Sequence, residues 1–155
     1  DHPDTHGQYR FKHRHAHITD HRETEFLLRA FHRDFEVNGP SLVRTVRTML
    51  QGWRRYKDHP VPRIRERFAW DTRGLATMYA GALWAARHWY RKNAAQSAKI
   101  SSILKEVYGE FGLKSRLMAP RVGRYVRWTM AREERRIRRG WTFEPPTFCE
   151  TANCV

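Results

Sequence analysis

Thiols are almost missing from this chain. Of 155 residues only Cys149 and Cys154 carry one, so a disulfide here closes a small loop near the C-terminus and cannot organise a fold, and a reducing, cytoplasmic setting is the expectation. Long apolar runs are missing too. No stretch of about 18 uncharged apolar residues occurs, which excludes a hydropathy-defined spanning helix. Gly39, Gly52, Gly74 and Gly81 stand alone, so no glycine-rich phosphate loop is present. Internal repeats, sustained heptads and low-complexity tracts are lacking. The chain opens on Asp1 without a basic-then-apolar leader pattern, and it is expected to be a piece of, or a subunit from, something larger.

Acidic residues are few: 16 Asp and Glu face 30 Lys and Arg, for a formal charge of +14. The imbalance is local. Residues 1–40 hold 6 basic and 7 acidic groups, net -1, and residues 41–155 hold 24 and 9, net +15. Seven of the nine histidines lie in the first part, so acidification alters it most. With 40 % hydrophobic and 13 % aromatic residues the chain gains enough by burial to fold as one domain. The mean hydropathy of -0.82 reflects the charges, not a missing core.

Periodicity predicts an all-α fold, a small irregular bundle of four to six helices. An extended or edge-strand lead-in over 1–18 precedes a helical domain over 19–140 and an extended aromatic and proline tail over 141–155. Thr19 or Asp20 is positioned to cap a first helix, with Glu23 at capping-box spacing from Asp20. Phe26, Leu27, Ala30, Phe31 and Phe35 share its face, and Asn38, Gly39 and Pro40 end it. Ser41 is expected to cap a second helix with the stripe Leu42, Val46, Met49, Leu50 and Trp53. Asp58, His59, Pro60 and Pro62 then impose a loop.

Residues 63–92 form the central helical region, as one helix or as two divided at Asp71 or Gly74. Ala80, Gly81, Ala82, Ala85 and Ala86 there let a partner helix come close. A fourth helix starts near Ser97, carries Ile100, Ile103, Leu104, Val107, Tyr108 and Phe111, and has Gly112 as its C-cap. A fifth starts near Ser115, with Pro120 and Gly123 predicting a break in its first turns. Its end, Arg132 to Arg139, is strongly charged, and Gly140 stops it.

Few of the chemistry-bearing residues form a pattern. His13, His15, His17 and His21 have strand spacing suited to a shared metal, but lack a carboxylate partner or a helical HExxH arrangement. Cys149 and Cys154 do not have CxxC spacing. Ser41, Asp58, His59 and Asp71 fit no nucleophile elbow or paired-carboxylate pattern. No catalytic, cofactor-binding or metal-ligating residue is assigned to this chain. Arginine dominates the cations, 24 against 6 lysines, and Arg54, Arg55, Lys57, Arg63, Arg65 and Arg67 gather around one interhelical loop. Such a patch suits phosphates, although Glu66, Glu133 and Glu134 interleave the basic clusters and no recognition-helix or RNA-module signature accompanies them. Most of the six tryptophans are expected in the core, with one or two left to dock a neighbour.

The segment Phe31-His32-Arg33-Asp34-Phe35-Glu36-Val37-Asn38-Gly39-Pro40-Ser41 resembles the C-terminal region of bacterial cobalamin-binding radical SAM proteins, a group that includes methyltransferase-like enzymes. The similarity continues through Gly52 to Lys57, Arg65 to Phe68, Tyr79 to Trp84, Glu110 to Leu113, Arg132 to Arg136 and Trp141 to Phe148, so that it covers roughly residues 20–148. What the resemblance implies is a non-catalytic helical domain that covers or docks on a catalytic barrel. The parent enzyme would use a [4Fe-4S] cluster on a CxxxCxxC motif, S-adenosylmethionine and, in a separate domain, cobalamin. Cys149 and Cys154 do not match that motif, so no family catalytic residue falls on this chain. The expected partners are a catalytic domain or another protein subunit. The alternatives are a stand-alone basic module that binds nucleic acid and an accessory subunit of an assembly.

Overall fold

The computed structural model describes residues 17–18 and 22–141. Among them the structure is all-α, without strands: α1 (Glu23–Asn38), α2 (Ser41–Tyr56), α3 (Pro62–Thr72), α4 (Ala80–Trp89) and α5 (Ala94–Arg138), with one π-helical turn over Leu75–Tyr79 leading into α4. The small helical bundle read from periodicity is thus present.

The early boundaries follow local chemistry. Gly39 stops α1 at a φ of 81°, and its N–H bonds back to the Phe35 carbonyl at 2.9 Å, where a side chain would be strained. Pro62 opens α3 at a position where its missing N–H leaves no hydrogen bond unmade. Two expected caps differ. Ser41 is the first residue of α2, not its cap; Pro40 holds that place and no side-chain cap forms. Its hydroxyl instead accepts from Arg44 Nη2 at 3.3 Å. Asp71 does not start a new helix either. It lies within α3 and pairs with Arg67 at 2.9 Å. The expected capping box of Asp20 lies outside the described residues.

Between α3 and α4 the chain changes direction through Gly74 and the π turn, whose wide bond runs from Tyr79 N–H to the Gly74 carbonyl at 3.1 Å. One extra residue per turn places Leu75 and Ala76 both inside. The later boundary differs more from expectation. Asn93, not Ser97, caps α5, its side chain accepting from the Gln96 N–H at 3.1 Å. The chain stays helical through Pro120 and Gly123. The break falls at Gly112, with φ 56° and ψ -136°, and divides α5 into arms 94–111 and 113–138 with no loop between them.

The core is one cluster: Val43, Val46 and Leu50 of α2, Leu75 of the π turn, Ala80 and Leu83 of α4, and Ile100, Ile103, Leu104, Val107 and Ala119 of α5. Helix α4 lies against both arms of α5. Its contact with the second arm is backbone-close: a Cβ on Gly81 would sit 2.4 Å from Val122 Cγ1, and one on Gly123 would sit 2.4 Å from Trp84 Cε3 and 3.0 Å from the Gly81 carbonyl oxygen. Ser115, Ala119 and Gly123 recur every fourth residue along that seam, all buried. Helix α1 is anchored at its C-terminal end, where Gln96 Nε2 donates to the Phe35 carbonyl (2.9 Å) and Lys99 Nζ to the carbonyls of Glu36 and Val37. Lys99 thereby satisfies two carbonyls of the last turn, and Gln96 adds a second donor to the Phe35 carbonyl that the Gly39 N–H already caps.

Candidate nucleic-acid interface

The positive charge is distributed differently from what proximity in sequence suggests. Around the loop between α2 and α3, the basic cluster is largely engaged. Glu110 of α5, only 15 % exposed, accepts from Lys57 Nζ at 2.7 Å, Trp53 Nε1 at 3.1 Å and Arg54 Nε at 3.3 Å. Arg54 also pairs with Glu106 at 2.8 Å. The Lys57, Arg54 and Trp53 bonds hold the Glu110 carboxyl below its ordinary range against the opposing effect of burial. Glu110 in turn raises the Lys57 ammonium. Arg65 donates to the His59 and Pro60 carbonyls, Arg67 pairs with Asp71, and Arg55 lies over the Tyr56 ring at 5.3 Å. The expected phosphate patch is therefore mostly a clamp that ties α2 to α5 and closes the interhelical loop.

The second arm of α5 has the opposite character. Lys114, Leu117, Arg121, Arg124, Tyr125, Trp128, Arg132 and Arg135 recur at spacings of three and four, so they occupy one side of the helix. All eight are exposed. None of the five cations forms a salt bridge among the described residues, and no Asp or Glu falls within the stripe. The two acids of this arm are engaged elsewhere, Glu133 with Arg136 at 3.1 Å and Glu134 with Arg138 at 2.6 Å. Within the stripe, the Arg132 guanidinium lies 5.7 Å from the Trp128 ring centre, and Tyr125 and Trp128 lie 6.1 Å apart. At 1.5 Å per residue, Lys114 to Arg135 spans about 32 Å.

Tryptophan placement also departs from expectation. Trp70, Trp89 and Trp128 are 62 %, 55 % and 58 % exposed, Trp141 is exposed as well, and Trp53 and Trp84 are half-buried. None lies wholly in the core. The fully buried core is built from aliphatic groups and alanines, and the Trp84 indole packs at its edge, over the space that Gly123 leaves open. Trp141 packs under Arg136, whose guanidinium is 3.6 Å from the ring centre.

The structure does not assemble the polar residues singled out for catalysis. Ser41 and Asp71 are placed as above, and His59 accepts from the Val61 N–H at 3.1 Å in the loop after α2. Of the four histidines with metal-like spacing only His17 is described; His13, His15 and His21 lie outside the described residues, as do Cys149 and Cys154. Among the described residues no group of three or more His, Cys, Asp or Glu side chains gathers, and none is a cysteine, so they offer no thiolate set for an iron-sulfur cluster. No helix among them is long and apolar enough to cross a membrane. The α5 stripe was detectable in the sequence as eight positions of helical spacing free of acid, but Glu133 and Glu134 conceal it when charge is summed along the chain. No protein-family model, curated protein or solved structure matches this chain.

Proposed function

We propose that this chain is a binding module whose second α5 arm takes a polyanion, specifically single-stranded nucleic acid. The observation that carries the reading is the stripe Lys114, Arg121, Arg124, Arg132 and Arg135, without carboxylate partners among the described residues, with Tyr125 and Trp128 exposed among them; of these, Arg121 donates to the Leu117 carbonyl at 2.9 Å. Guanidinium groups without carboxylate partners are free to clamp phosphates. Exposed rings supply faces on which bases stack without regard to sequence. The stripe, about 32 Å long, is long enough to follow a run of several nucleotides.

The test is fluorescence anisotropy of a labelled 20-nucleotide single strand against the full chain over a salt series. Five phosphate contacts give a slope of log affinity against log salt of about -3.5 on a single strand. The variant R124Q/R132Q/R135Q should flatten that slope by about 2, with its helix content by circular dichroism unchanged. Absence of salt-sensitive binding, or binding that the triple variant leaves intact, overturns the reading.

A second reading follows the resemblance to radical SAM proteins: a helical domain docked on a catalytic barrel that belongs to the same parent protein. It draws on α1, where Leu28 and Phe31 are exposed three residues apart on one side of the helix, an apolar pair of the kind that a neighbouring domain covers. A CxxxCxxC segment in the same reading frame supports it, and a reading frame without one removes it.

A further inference from the structure

Beside the stripe, the last turn of α4 and the second arm of α5 enclose an open cleft of about 350 Å³. Its apolar lining includes Trp89 and Met130, and its polar lining is Arg91, Lys92, Arg127 and His88. No carboxylate lines it, and none of the three cations has a salt-bridge partner among the described residues. Three formal positive charges thus line the cleft together with an exposed indole; Arg91 also donates to the His88 carbonyl at 3.4 Å, and the Arg127 guanidinium lies 6.0 Å from the Trp84 ring centre. His88 stacks on Trp84 with ring centres 6.4 Å apart and planes 11° from parallel. Desolvation, then the charges of Arg127, Arg91 and Arg87, push its imidazole below the ordinary range. It therefore adds a neutral hydrogen-bonding edge at neutral pH rather than a fourth charge.

We infer that this cleft binds a phosphorylated nucleoside, its base against Trp89 and its phosphate on Arg91, Lys92 and Arg127. The size falls in the range of small-ligand sites. The division of the walls suits a ligand with one planar apolar end and one anionic end. A phosphate without a base loses the indole contact, and an uncharged nucleoside loses the cationic rim. The ligand comes from one of two sources, a free nucleotide or one unit of a bound strand. Arg127 and Trp128 are consecutive in α5 and so point about 100° apart around the helix; a strand on the stripe reaches the cleft only by bending around α5. The strand source rests on the polyanion reading above; the free-nucleotide source does not.

Calorimetric titration of the full chain with AMP, with inorganic phosphate and with the 20-nucleotide strand tests the assignment, using W89A and R127Q with helix content checked for each. The expected result is saturable AMP binding at least about tenfold tighter than phosphate, about 1.4 kcal/mol. W89A should weaken AMP at least about fivefold and leave phosphate unchanged, and R127Q should weaken both. If the strand also uses the cleft, W89A lowers its affinity too, and such a loss supports the site even where free AMP binds poorly. Strand affinity unmoved by W89A, together with AMP binding through Trp89, assigns the cleft to a free nucleotide. The inference is overturned if AMP binds no tighter than phosphate, or binds without regard to both substitutions, while the strand is equally insensitive to W89A. Failure of the stripe variant alone removes the polyanion reading and leaves the cleft standing.

Discussion

Gly123→Ala places a methyl group where the second arm of α5 crosses α4, and Gly81→Ala places one on the facing backbone. In a solvent-exposed helix interior, either change is expected to stabilise by about 1 kcal/mol, because alanine loses less backbone entropy on folding than glycine does. Here the new Cβ meets Trp84 Cε3 at 2.4 Å in the first case, and Val122 Cγ1 and Cβ at 2.4 and 2.5 Å in the second. Carbon atoms in good contact lie about 3.5–4.0 Å apart, so the two helices must separate by about 1 Å or more. Overpacking of this kind costs about 1–3 kcal/mol. The upper half of that range applies, since the obstacles are a β-branched side chain, an indole and a backbone carbonyl rather than the tip of a flexible chain. After the propensity gain each variant is expected to lose about 1–2 kcal/mol. That corresponds to a fall in Tm of about 2–8 °C for a chain of this length.

Gly109 is the internal control, an exposed helical glycine of the first α5 arm with nothing within 4 Å of an added Cβ. Gly109→Ala should raise stability by about 1 kcal/mol. Thermal and urea unfolding followed by far-ultraviolet circular dichroism compares the three variants with the parent. The double variant should cost less than the sum of its parts, because the first substitution already opens the seam. Variants at Gly81 and Gly123 that melt at or above the parent temperature refute the close crossing on which the packing of α4 and α5 rests.

Glu110→Gln should lower stability by about 1–3 kcal/mol, since Lys57, Arg54 and Trp53 all lose a charged acceptor. The parent's advantage over this variant depends on pH. With the folded-state pKa depressed below its ordinary value of 4.5, the carboxylate's contribution is complete above that value and is lost as pH falls through the lower folded one. Urea midpoints for the pair should therefore converge on acidification, and a gap that is constant from pH 7 to pH 3 contradicts the clamp. At Gly112, where φ is 56°, an alanine is strained, and the expected loss of about 1–2 kcal/mol is measurable by the same unfolding assay. Leu104→Ala removes a side chain that is 1 % exposed in the middle of the core cluster. It should cost about 2–5 kcal/mol; a smaller loss places the core elsewhere.

Much of the helical order is written locally. Gly39 with Pro40, and Pro60 with Pro62, end and start helices through backbone chemistry that requires no tertiary partner, so those boundaries were legible. The aliphatic stripes of α2 and the first α5 arm identify their inner faces for the same reason, that spacing of three and four defines one side of a helix. Ala80 to Ala86 also announced a close approach. Its partner did not announce itself, because Gly123 has two physical uses: it ends helices and it admits a neighbouring backbone. Beside Pro120 it suggested a second break, whereas packing against Gly81 employs its missing side chain, and α5 breaks only at Gly112, where the end of the preceding helix was expected.

Charge shows the same division. Composition alone determines that this molecule is strongly basic and that a polyanion is attracted to it, since monopole charge does not depend on arrangement. Which cations remain available is a matter of distances across the fold. Glu110 is more than fifty residues from Arg54 and Lys57 in sequence, yet lies within 3.3 Å of both. Glu133 and Glu134, surrounded by arginines in the chain, face away from the α5 stripe. Local sequence thus determined the helices and the sign of the field. Only tertiary packing decided which arginines are neutralised and which stand free, because ion pairing decays over a few ångströms and chain separation carries no information at that scale.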